Sequence, residues 1–247
     1  MALKQRLTAW AGQKLGGTWL FPRHITHACM RPLIKDVAGL VSGRLLDIGC
    51  GQRPYEDLLS HRVTRYIGME RSAGTGSRPD VLGDAVDLPF AGGSFGAVLA
   101  TEVMEHLPDP DRFLREVGRV VRPGGVVLLS VPFMEPLHEE PRDFYRFTPY
   151  SLRMLIERHG FEPHSISNRG GWWSVVLGSF VNQVLYNAVN PSSTAGRRRN
   201  PVAAAWILPV CAVAQLAGYG LDRLFRSRRY TLGFLAVATK RRGASSV

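Results

Sequence analysis

Cysteine is scarce in this chain: Cys29, Cys50 and Cys211 are its only three, scattered and odd in number, so no disulfide framework is expected and a reducing cytoplasm is the expected setting. The N-terminal stretch lacks the continuous apolar core of a secretory leader, because Lys4, Arg6 and Lys14 interrupt its apolar residues. His24, His27 and Cys29 offer three metal-ligating side chains, but no second cysteine or histidine cluster completes a tetrahedral set, so no metal is assigned. Acids are outnumbered as well, with 20 Asp and Glu against 31 Lys and Arg, a formal charge of +11. Disorder is nevertheless excluded as the default. At 247 residues, 45% hydrophobic and 21% charged, the chain has the composition of one sizeable domain with an elaboration.

The basic excess is local. Between Gly196 and Arg242 ten Lys and Arg (Arg197, Arg198, Arg199, Arg223, Arg226, Arg228, Arg229, Lys240, Arg241 and Arg242) face Asp222 alone. Such a cluster suits an anionic surface, lipid headgroups or nucleic acid, or it is simply a solvated face.

The most informative stretch runs from Leu45 through Asp47-Ile48-Gly49-Cys50-Gly51 to Pro54 and Tyr55. Arg44 to Ile48 has the short apolar character of a parallel strand covered on both faces. Gly49 and Gly51 let the backbone turn where a Cβ would collide, and Pro54 to His61 is expected to start the returning helix. A dinucleotide fingerprint needs a third glycine where this chain has Pro54, so that option fails. Asp47 beside the turn suits a cationic amino-acid moiety better than a pyrophosphate. The next strand, Arg65 to Glu70, ends in an acid 19 residues after Gly51, placed to accept from both ribose hydroxyls of an adenosyl group.

With those residues in view, the chain resembles class I S-adenosylmethionine-dependent methyltransferases of the broad methyltransferase-11-type group, over roughly Arg31 to Gly160 and again from Tyr230 to Lys240. Gly83-Asp84-Ala85-Val86-Asp87 resembles the segment after the third strand. Ser94 to Thr101 resembles the fourth strand, Glu102 to Leu107 the turn after it, and Arg119 to Gly125 running into Val126 to Val131 the helix, turn and fifth strand. The resemblance implies S-adenosylmethionine as cofactor, with Asp47, Gly49, Cys50, Gly51, Glu70, Asp84, Ala85 and Thr101 as its binding residues; Asp84 would accept from the adenine amino group. It also implies an α/β fold, a Rossmann-like seven-stranded, mostly parallel sheet flanked by helices. Two departures stand out: Arg53 where the family often has a third glycine, and Gly96 where it usually has Asp.

Asp109 to Val121 reads as an amphipathic helix stopped by Pro123-Gly124-Gly125. His106, before it, lies near a strand end where it would touch substrate, cap a helix or simply pack. Pro136 to Thr148 follows the fifth strand and gathers His138, Glu139, Glu140, Arg142, Asp143, Tyr145 and Arg146 in one loop. Methyl transfer is an in-line displacement at carbon already activated by the sulfonium, so alignment supplies much of the rate and a base matters only for an acceptor that keeps its proton. His138 is the candidate base, with Glu139, Asp143 and Tyr145 as further candidate catalytic residues. The alternative is a hydrogen-bond network of Asp143, Tyr145 and Arg146 that merely fixes the loop. Thr148 caps a helix from Pro149 to His159.

Phe161 to Ser167 and Tyr230 to Thr239 read as the last two strands. Between them two uncharged apolar segments, Trp172 to Val189 and Asn200 to Leu221, are separated by Arg197-Arg198-Arg199. A helical hairpin is expected there. Length would admit a span, but a chain that returns to the same sheet crosses twice or not at all, and both ends of the second helix are basic. Contact with a bilayer interface is favoured over an internal lid or a dimer surface. The expected organisation is therefore 1–43 as N-terminal helices (Ala2 to Leu15 a lid or membrane-surface helix, and Pro32 to Leu40), 44–169 plus 230–240 as the cofactor domain, and 170–229 as the insertion. The expected function is methyl transfer to a lipid-linked, glycan or other hydrophobic acceptor at the cytoplasmic membrane face. The alternatives are a quinone or small-molecule methyltransferase, or a non-catalytic scaffold that keeps the fold. No nucleic-acid partner is expected, because the arginines adjoin apolar helices and no base-flipping motif is present.

Overall fold

The computed structural model describes residues 24–74, 77–189, 201–225, 227 and 229–243. The predicted helix Ala2 to Leu15 and the arginines Arg197 to Arg199 lie outside the described residues. Two compact units are present, one with residues 31–133, 137–168 and 233–243, the other with 24–30, 134–136 and 169–232 among those described.

In the first unit a seven-stranded sheet has the order β3-β2-β1-β4-β5-β7-β6, with β1 Arg44–Ile48, β2 Arg65–Glu70, β3 Val81–Leu82, β4 Phe95–Thr101, β5 Val121–Pro132, β6 Phe161–Arg169 and β7 Gly233–Lys240. The pairs β1·β2, β1·β4, β2·β3 and β4·β5 are parallel, whereas β7 runs antiparallel to β5 from Val126↔Thr239 to Pro132↔Gly233. This is the Rossmann-like mixed sheet the sequence implied. Strand order reverses between β1 and β4, and in such sheets ligands gather outside the carboxyl ends of the strands at that reversal. Asp47, Glu70, Asp84 and Thr101 all belong to that edge.

Among the described residues the helices ahead of β6 are α1 His24–Val37, the single-turn α2 Glu56–Leu59, α3 Pro110–Val120 and α4 Pro149–Arg158. The expected helix Pro54 to His61 is only α2 plus a 3-10 turn, Ser60–Arg62, because Arg53 and Tyr55 keep non-helical backbone ahead of it. α1 begins well before the predicted Pro32, which sits inside it; Ile25, Cys29, Met30 and Ile34 are buried along it, and that stripe offsets the hydrogen bond the proline removes. α3 is capped by Asp109, whose Oδ1 accepts from Arg112 N at 2.8 Å. It buries Phe113, Leu114, Val117 and Val120 into the core of Leu46, Ile48, Val98 and Leu129, about 1.5–3 kcal/mol for each side chain. Lys240 Nζ donates to Gly118 O at 2.6 Å and Val121 O at 2.9 Å, which satisfies carbonyls at the C-terminal end of α3. Thr148 caps α4, accepting from Ser151 N at 3.1 Å.

In the second unit, α5 Trp172–Val189 and α6 Pro201–Leu224 lie between β6 and β7 in sequence and pack on each other: a Cβ on Gly218 would stand 3.0 Å from Trp173 O and 3.4 Å from Leu177 Cβ. Asp222 accepts from Gly171 N (2.7 Å), Trp173 N (2.9 Å) and Ser174 N (3.0 Å), so a carboxylate from α6 caps the start of α5. Arg169 pairs with Glu135 at 2.7 Å, both almost fully buried. Among the described residues no helix is long and apolar enough to cross a membrane.

Candidate active site

The glycine turn after β1 is tied down by backbone bonds from Gly49 N (2.9 Å) and Cys50 N (3.2 Å) to Met69 O. Gly49 has φ +70°, and a Cβ there would lie 2.5 Å from Val103 Cγ2. The turn therefore packs directly against the segment that follows β4, and only glycine allows the approach. Arg53, which occupies the place of the family's third glycine, also takes a left-handed φ of 56°. Its guanidinium spans to Asp80 Oδ2 (2.6 Å) and Arg78 O (2.7 Å), while Asp80 Oδ2 accepts from Gly68 N at 2.8 Å. That bridge holds the turn to the β2–β3 connection. At the other departure from the family, a Cβ on Gly96 would collide with the Ser42 carbonyl.

Asp47 is buried at the end of β1. Tyr66 Oη donates to its Oδ2 at 2.5 Å, and Oδ1 has no hydrogen-bond partner. Burial pushes its carboxyl up to about 7, with the Tyr66 hydrogen bond pulling the other way. Glu70 lends Oε1 to Gly51 N at 2.7 Å, so one oxygen of the expected ribose acceptor braces the turn itself. Burial pushes the Cys50 thiol up to about 12, so this side chain is a small packed group and no nucleophile. Asp84 Oδ1 accepts from Val86 N at 3.1 Å and Ala85 is buried beside it. Glu116 and Arg119 of α3 hold the following segment, accepting from Leu88 N and donating to the carbonyls of Leu88 and Phe90. Thr101 pairs with Ser130 at the end of β4.

Just past Thr101 the chain turns through Glu102, at φ 56°, whose carboxylate accepts from Ser130 Oγ at 2.6 Å. A single 3-10 turn, Met104–His106, then points Glu105 inward. Its side chain is 0% exposed and neither oxygen has a hydrogen-bond partner; burial raises its pKa, with the neighbouring His138 opposing. His106 Nε2 lies 3.6 Å and His138 Nε2 3.8 Å from Glu105 Oε1, and the two rings meet edge to face at 4.9 Å. Asp143 accepts from His138 N at 3.0 Å and its Oδ2 faces His138 Nδ1 at 3.4 Å. Arg146 grips the same carboxylate through both terminal nitrogens, at 2.5 and 2.8 Å, and holds its pKa down at about 2. Asp143 is therefore an ionised anchor and no proton acceptor.

Residues 46–129 match the family model described as a methyltransferase domain. The chain is 35% identical over 197 residues to a ubiquinone biosynthesis O-methyltransferase of Azorhizobium caulinodans, covering 66% of this chain and 76% of that protein. The chain belongs to the S-adenosylmethionine-dependent methyltransferases. An uncharacterized methyltransferase of Mycobacterium sp. (strain KMS) is 33% identical over 130 residues, 48% of this chain and 52% of the relative, so the match spans about half of that protein's length. The fold is shared with a SAM-dependent methyltransferase from Archaeoglobus fulgidus, with a TM-score of 0.54 and 17% identity over 87% of this chain and 94% of that one.

In this methyltransferase the predicted catalytic residues separate. His138 and Asp143 come together, whereas Glu139 is solvent-exposed and Tyr145 donates its hydroxyl to Pro108 O at 3.0 Å while stacking on Phe147, a loop-fixing arrangement. The sequence alone gives Glu105 no role and leaves His106 open to substrate contact, capping or packing. An acid next to a histidine in the short turn after β4, with Val103 and Met104 before them and Leu107 after, is the signal that could have marked them.

Proposed function

We propose that the chain transfers the methyl group of S-adenosylmethionine to a hydroxyl of a hydrophobic acceptor. Asp47, with an unpartnered buried oxygen, takes the α-ammonium of the donor; Gly49, Cys50 and Gly51 line its amino-acid end; Glu70 takes the ribose; Asp84, Ala85 and Thr101 complete the adenosyl side. The observation that supports the reading is the packing of the turn after β1 against Val103, two residues from Glu105; with the donor on that turn, two imidazoles and a carboxylate would stand beside its methyl group. An alcohol or phenol attacks well only as it loses its proton, and His138, steered by Asp143, is the group of that cluster suited to receive it. An acceptor that is already a free anion would need none of this.

Apolar side chains on the second unit favour a hydrophobic acceptor met at a lipid surface: Trp172, Phe180, Val210, Val213, Leu216 and Phe225 are exposed. Quinol-type phenols fit this description, and the Azorhizobium relative is named as an O-methyltransferase of ubiquinone biosynthesis; lipid-linked glycans are the other form of the same reading. The test is mass spectrometry of lipid extracts from a deletion strain, followed by methyl transfer in vitro from isotopically labelled S-adenosylmethionine. A species lighter by one methylene that the protein re-methylates supports the proposal. Unchanged lipid and quinone profiles, with transfer only to water-soluble amines, would overturn it.

A further inference from the structure

We infer that Glu105, His106 and His138 form a binding site for one divalent transition cation, of the zinc, cobalt or manganese type. One ligand atom from each of the three side chains lies within 4.8 Å of the others, with the carboxylate 3.6 and 3.8 Å from the two Nε2 atoms. Around an ion bound at about 2.0–2.1 Å, ligand atoms stand about 3–3.5 Å apart, so small side-chain rotations close the set. Two imidazoles and one carboxylate match the ligand preference of these ions.

The proton positions point the same way. His106 Nδ1 lies 2.6 Å from Arg142 O; a carbonyl only accepts, so Nδ1 carries the hydrogen and neutral His106 turns the Nε2 lone pair toward Glu105. His138 Nδ1 faces the Asp143 carboxylate, itself fixed by Arg146, which places that ring's hydrogen on the outer side as well. Backbone carbonyl and carboxylate partners of this kind are what orient metal-ligating histidines. Glu105, fully buried with neither oxygen in hydrogen-bond geometry, faces the two Nε2 atoms at 3.6 and 3.8 Å. Three electron-pair donors converging on one half-buried point are held together by positive charge, and a divalent ion supplies it while leaving a coordination position open.

For its chemical role this inference rests on the proposed hydroxyl acceptor; the binding itself does not. The acceptor oxygen takes the open position, its O–H bond breaks with the proton leaving to solvent, and the oxygen pair forms the new bond to the methyl carbon. The carbon–sulfur bond breaks with its pair returning to sulfur, which gives S-adenosylhomocysteine and the methyl ether. His138 is thus the base in the metal-free protein and a ligand once the ion is bound, when the metal lowers the hydroxyl pKa in its stead.

Chelator-treated full-length protein is titrated calorimetrically with zinc and with manganese, and with cobalt followed by visible absorption. One ion per chain is expected, with X-ray absorption of the zinc form giving two imidazole nitrogens in its first shell. Glu105→Gln and His138→Ala should each weaken binding at least about tenfold while circular dichroism and S-adenosylmethionine affinity stay unchanged. No saturable binding of any of the three ions, or a zinc shell without imidazole, would overturn the site. Saturable binding without methyl transfer to any hydroxyl compound would instead overturn the acceptor reading and leave the site standing.

Discussion

Asp47 is held as a buried acid whose burial raises its pKa to about 7, and the groups that face it are Tyr66, Glu70, Arg53 and Glu56. In the free protein it is protonated below that value. A cationic ligand must displace the proton there, so S-adenosylmethionine affinity should rise by up to about tenfold per pH unit below pH 7 and level off above it. The same shift works in the opposite sense on stability: a folded pKa above the unfolded one stabilises at low pH, and that contribution is lost as pH rises through about 7. Asp47→Asn should flatten both dependences. Calorimetry in buffers of different ionisation enthalpy reads the released proton, and an affinity constant between pH 5.5 and 8 would show that Asp47 does not meet the donor's positive charge.

At the level of elements, the cap that Asp222 places on α5 is the contact most open to test. Three backbone N–H groups lose their acceptor in Asp222→Ala, which should cost about 1–2 kcal/mol, read as a lower denaturation midpoint with an unchanged slope. Asp222→Asn, which keeps an acceptor oxygen, should recover part of it. The strands and most helices were legible from sequence because each carries a local signal: apolar runs for β1, β4 and β5, Thr148 as a cap, Pro123-Gly124-Gly125 as a stop. The start of α1 was not, because a proline at position 32 reads as a helix beginning and only burial of Ile25 and Met30 shows otherwise. The glycine turn after β1 was legible as a turn, since Gly49 and Gly51 lie in one stretch between two apolar strands. The cluster of Glu105, His106, His138 and Asp143 was only half legible. Its members come from two connections more than 30 residues apart in sequence, and the parallel pairing of β4 with β5 is what brings them to the same edge.

For the whole molecule, the exposed apolar side chains Val210, Val213 and Leu216 of α6 sit in the stretch that carries the basic excess, and Trp172 and Phe180 of α5 precede it, a combination suited to anionic lipid. Flotation with vesicles of phosphatidylcholine and phosphatidylglycerol should carry the protein upward. The double variant Val213→Glu, Phe225→Glu should float less, and equal recovery of both proteins would remove the membrane reading without touching the enzyme. The claim on which everything else depends is that the turn after β1 holds S-adenosylmethionine. Titration calorimetry of the full-length protein with S-adenosylmethionine at neutral pH tests it most directly. One site per chain is predicted, weakened about ten- to a hundredfold by Asp47→Asn, as expected for losing a hydrogen bond to a charged group worth about 1.5–3 kcal/mol. Undetectable heat at millimolar ligand, with the protein folded, would contradict the account.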